Sequence, residues 1–171
     1  KFINACLTQM GLMMYYSDEK SIFIPKDYPY PSRMASGCAA IGISQLCSLE
    51  TNLQHRKRCA RFYNKILGVY PDAYINSDEN IFLRYSFLVN NRDYWEKRFS
   101  RLIDLSVWFK TIACGRYQNC EEIFYTPGSC INAEFATQKI LNLPTHSNIK
   151  PERLKELLEA LKDSGDLIGF Y

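Results

Sequence analysis

His55 and His146 are the only histidines in this 171-residue sequence. They are therefore the first candidates for acid–base or metal chemistry. An imidazole serves a Ser or Cys nucleophile only when a third group holds it in the right tautomer and orientation. Neither histidine has such a setting in its local sequence, so neither reads as a catalytic base. The seven cysteines, Cys6, Cys38, Cys47, Cys59, Cys114, Cys120 and Cys130, are irregularly spaced and include no C-x-x-C pair. Combining Cys114, Cys120 and Cys130 with His146 gives spacings that match no zinc pattern. An odd number of scattered thiols argues for free cysteines in a reducing cytoplasm. The sequence has no G-x-G-x-x-G and no P-loop.

The strongest cluster of charge is His55-Arg56-Lys57-Arg58 with Arg61. A nucleic-acid partner calls for a second basic element and exposed aromatics, and a formal net charge of +3 supplies neither. At helical spacing the run reads as the solvated face of an amphipathic helix. No nucleic acid is expected. No window reaches the ~18 continuous apolar residues of a membrane span, so no membrane span is expected either. Apolar residues make up 47% of the chain and aromatics 14%, which is enough for a real core.

These residues must be positioned by a small set of elements. The longest helical pattern runs from Arg33 to Leu67. Leu46, Leu49, Leu53, Ala60, Tyr63 and Leu67 recur at helical intervals, with Arg56 occupying one slot on that face. Gly37 and Gly42 weaken its first turns, and Ser48 to Asn52 marks a bend or break. Gly68 suits the left-handed position after the last turn, with Pro71 behind it. Asp72 to Asn80 reads as polar loop. Ile81 to Val89 alternates as a strand, with Leu83, Tyr85, Phe87 and Val89 on the buried face. Asp93 and Glu96 have capping-box spacing for a helix from about Asp93 to Ile103.

Further on, Leu105 to Phe109 is a strand candidate and Cys114 to Pro127 a long surface loop. A short helix runs from Ala133 to Lys139, capped by Asn132. Ile140 to Leu143 is a strand closed by Pro144. Pro151 opens a last helix whose apolar face is Leu154, Leu157, Leu158 and Leu161. Helices and strands in this order predict an α+β layer with few strands. The start at Lys1 reads as an internal fragment, and Lys1 to Tyr16 as a short buried helix rather than a signal peptide.

Two blocks carry a family resemblance. Arg33-Met34-Ala35, Ala39 to Leu46 (AAIGISQL), Arg56 and Tyr63 to Leu67 form the first. Pro127-Gly128-Ser129, Ala133-Glu134 and Ile140 to His146 (ILNLPTH) form the second. In order and separation they resemble the R-M-S-x-x-Q-A-A-I-G-L-x-Q-L and P-G…A-E…L-x-L-P-x-H runs of the DegT/DnrJ/EryC1/StrS aminotransferases. The resemblance covers about Pro31 to Leu161. It departs from the family at Ala35, where Ser is usual, and at Cys38, where Gln is usual.

The resemblance implies the C-terminal small domain of a type I, aspartate-aminotransferase-like fold: a small antiparallel-type sheet packed by helices, preceded by a long connecting helix. It implies residues 1–30 as an N-terminal insertion or remnant of the large domain, 31–68 as a connecting and dimer helix region, and 69–171 as the small domain. The implied cofactor is pyridoxal 5'-phosphate, which needs a lysine to hold it covalently and an acid on its ring nitrogen. In the family both lie upstream of the Arg33 block, so no lysine here takes that role and no catalytic residue is assigned. The implied partners are a second copy of the chain, a keto-sugar nucleotide and an amino donor such as glutamate. The family's N-Y-R loop corresponds to Pro31-Ser32-Arg33. Arg33 and Ser32 are thereby the implied cofactor-phosphate contacts, with Pro31 in place of the Asn.

Overall fold

The computed structural model describes residues 33–105, 112 and 125–169. The chain divides into two units, Lys1–Cys38 and Ala39–Tyr171. Of the first, residues 33–38 are described: Arg33 to Ala35 lack regular structure and Ser36 opens a helix. Ser32 and Pro31, the expected helix at Lys1–Tyr16, residues 106–109 of the Leu105–Phe109 strand candidate and most of the Cys114–Pro127 loop lie outside the described residues.

The Arg33–Leu67 pattern becomes two helices, α1 (Ser36–Cys47) and α2 (Leu49–Leu67), separated at Ser48. The break falls where the sequence placed it. It also divides the apolar stripe. No residue of α1 is buried, and Leu46 is 67% exposed and Leu49 47%. From Cys59 onward α2 is anchored through Cys59, Ala60, Tyr63 and Leu67. Gly68 takes φ +67° and its N–H donates to Asn64 O, closing α2 as expected of a left-handed terminus.

The sheet has three antiparallel strands in the order β2-β1-β3. Strand β1 (Arg84–Val89) lies in the centre, β2 (Ile140–Pro144) pairs with it from Arg84↔Pro144 to Leu88↔Ile140, and β3 (Leu167–Ile168) pairs with its far end. Tyr85, Phe87 and Val89 are fully enclosed, as the alternation predicts. Leu83 was expected with them but is 61% exposed, because it precedes the paired part of the strand. Leu88 is buried as well, on the face that the sequence assigned to solvent.

Several boundaries differ from expectation for local reasons. Asp72–Ile75 forms a one-turn helix, α3, rather than loop, and puts Ile75 into the core. The next helix, α4 (Arg92–Phe99), is capped by Asn91, whose side chain accepts from the Tyr94 N–H, and it ends four residues early. Helix α5 (Ile131–Lys139) begins two residues early, with Cys130 at the cap position and no side-chain cap. Pro151–Leu154 is a 3-10 turn that feeds α6 (Lys155–Ser164). Strand β3 was not anticipated: two residues carry no readable period. It is fixed from outside, by Asn90 N–H donating to Asp166 O and Trp95 Nε1 donating to Asp166 Oδ2 at 2.8 Å.

The core joins α2 and α6 to the sheet. Leu154, Leu158 and Leu161 are fully enclosed against it, each contributing roughly 1.5–3 kcal/mol by burial. Its tyrosine hydroxyls are satisfied: Tyr63 Oη donates to Pro144 O at 2.9 Å, Tyr70 Oη to Ser86 O at 2.7 Å and Tyr85 Oη to Asn64 Oδ1 at 2.8 Å. Burial holds the protons of this region tightly. The Cys59 thiol is pushed up from 9.0 to about 11 and the Tyr70 phenol from 10.0 to about 12, and burial raises Tyr63 and Tyr85 as well. An acid whose folded value is raised stabilises the fold fully below its unfolded value and loses that contribution as pH climbs to the folded one. The urea midpoint should therefore hold steady up to about pH 9 and fall progressively from there to about pH 12. A flat profile across that window would show that these groups ionise in place.

Candidate functional site

The polar side chains that converge most clearly lie where α2 crosses the ends of β1 and β2. Arg56 occupies a slot on the core-facing stripe of α2, and the reason is visible. Its Nε donates to Asn52 Oδ1 at 2.7 Å, one turn back. Its Nη1 donates to Leu83 O at 3.0 Å and to Thr145 Oγ1 at 3.2 Å. The guanidinium thus joins the residue preceding β1 to the residue following β2. Thr145 is fully buried, and its hydroxyl lies 2.6 Å from Phe82 O and 2.9 Å from Leu83 O. Lys57, the next residue of the basic run, is also buried and donates to Asp78 Oδ1 at 3.1 Å and Asp78 O at 3.0 Å. The run is therefore not a uniformly solvated face. Arg58 and Arg61 are exposed, while Arg56 ties α2 to the residues flanking β1 and β2 and Lys57 ties it to the turn at Asp78.

His146 follows Thr145 and is exposed. Its pKa is lowered by burial first, then by the charges of Arg84, Arg56 and His55. Arg84 pairs across the sheet with Pro144, which brings it to the same end of the strands. Its Nη1 donates to Leu105 O at 3.4 Å. Arg56 and Arg84, one from a helix and one from a strand, thus both act on His146 at this end of the sheet. Sequence reasoning treated the two histidines as isolated and did not single out Thr145 or Arg84. The available signal was Arg56: a charge in an apolar stripe implies a buried or half-buried partner.

The Cys–His pair expected to be absent from the sequence has a local counterpart. Cys59 Sγ lies 3.3 Å from His55 Nε2, four residues apart on α2. A nucleophilic thiol needs its pKa lowered. Here burial, with Glu152 adding to it, pushes the thiol up to about 11, so the pair is a packing contact. Among the described residues no group of three metal-ligating side chains converges.

A second cluster staples the turn before α5. Glu134 Oε1 accepts from Tyr125 Oη at 2.6 Å and from the Gly128 N–H at 2.5 Å, and Tyr125 Oη accepts from the Cys130 N–H at 3.1 Å. The Tyr125 bond and then the Gly128 N–H hold the Glu134 carboxyl below its ordinary value. Gly128 takes φ +88°, which suits glycine. Both blocks of the resemblance thus have structural employment: Arg56 and Tyr63 in one, and Gly128, Glu134, Pro144 and Thr145 in the other.

The family model described as the DegT/DnrJ/EryC1/StrS aminotransferase family matches residues 4–162. The chain belongs to this aminotransferase family. No curated protein and no solved structure matches it. The α+β class is as expected, with a small antiparallel three-stranded sheet packed by helices. The family is generally one of pyridoxal-phosphate enzymes. The described residues do not assemble a site for that cofactor. The one buried lysine among them, Lys57, is committed to Asp78, and Lys139 donates to Asn90 O. Arg33 is exposed and has no hydrogen bond or ion pair to a described residue. A cofactor role for Arg33 and Ser32 therefore rests on the aminotransferase pattern alone.

Proposed function

We propose that the chain is the C-terminal portion of a pyridoxal-phosphate-dependent aminotransferase that moves an amino group from glutamate to a keto-sugar nucleotide. The observation that carries this reading is the family match across residues 4–162. In this reading the sheet and the helices packed on it are the small domain of a type I fold, residues 69–171. Residues 31–68 are the connecting and dimer helices, and residues 1–30 an insertion or remnant of the large domain. The catalytic lysine belongs to upstream sequence, and the 171-residue chain does not transaminate alone. Arg33 and Ser32 reach the cofactor phosphate of a partner subunit, a role that an arginine fork and a hydroxyl suit chemically. The uncovered apolar side chains Ile41, Ile43 and Leu46 on α1 support a covering surface in such a homodimer.

The test is made on the full-length natural protein. Purified, it should show the visible absorbance of bound cofactor, lose it when one upstream lysine is replaced, and transaminate a keto-sugar nucleotide with glutamate. A full-length protein with neither bound cofactor nor turnover would overturn the reading. Pro31, where the family pattern has Asn, favours a second reading: a binding or regulatory relative that keeps the fold and the dimer helix. Cofactor or keto-sugar binding without turnover would select it.

A further inference from the structure

We draw no further inference here: the strongest candidate, the groove of about 650 Å³ between α2 and α6 floored by Phe62 and Ile66, is rimmed by side chains of both signs, Lys65, Lys155 and Lys162 against Glu159 and Asp163, so nothing in the structure shows what covers it.

Discussion

Tyr63→Ala is expected to destabilise the fold by about 4 kcal/mol, the range for truncating a fully buried aromatic. The ring is completely enclosed and meets Tyr85 edge-on at 5.6 Å. Its hydroxyl donates to Pro144 O, the last carbonyl of β2. Truncation therefore opens a cavity between α2 and the sheet and strands a buried carbonyl. Native domains are stable by only about 5–15 kcal/mol, so this one change removes a large share. Urea unfolding of the wild type, Tyr63→Phe and Tyr63→Ala separates the two contributions. Tyr63→Phe keeps the ring and should lose only about 1–2 kcal/mol for the unsatisfied carbonyl. If Tyr63→Ala unfolds at the wild-type midpoint, α2 is not bolted to the sheet in the way described.

Asn64→Ala is the second large effect, expected at about 3 kcal/mol because several buried polar groups lose partners together. Asn64 Nδ2 donates to Tyr70 O at 2.9 Å, while its Oδ1 accepts from the Tyr70 N–H at 2.9 Å and from Tyr85 Oη at 2.8 Å. One amide thus fixes the chain after Gly68 and satisfies a phenol in the core. Asn64→Asp keeps the shape and the acceptors but loses the donor and places a charge in a nearly dry site. It should be at least as damaging. Chemical denaturation of both variants checks this, and a loss under about 1 kcal/mol for Asn64→Ala would mean that water replaces the amide. Since Tyr63 and Asn64 both act on Tyr85, their effects should not add.

Much of the architecture was legible where one period dominated. The alternation of Tyr85, Phe87 and Val89 gave the central strand, and the leucines from Leu154 to Leu161 gave the last helix with its buried face. Gly68 and Pro71 marked the end of α2 because glycine alone enters the left-handed region at little cost. What was missed depends on partners distant in sequence. Strand β3 exists because Trp95 and Asn90 hold Asp166. Arg56 looked like an interruption of an apolar stripe because its acceptors, Leu83 O and Thr145, lie 27 and 89 residues away. Lys57 was read as solvated because nothing in the local sequence announces Asp78 as its acceptor.

The break at Ser48 has a thermodynamic consequence. A helix of 12 residues with two glycines lies near the length at which isolated helices are marginal in water. Helix α2 draws its permanence from the core, whereas among the described residues none of α1 is buried. The order of α1 is therefore conditional. Whatever surface covers Ile41, Ile43 and Leu46 also supplies the free energy of winding that segment, so its coiling and its contact form a single coupled equilibrium.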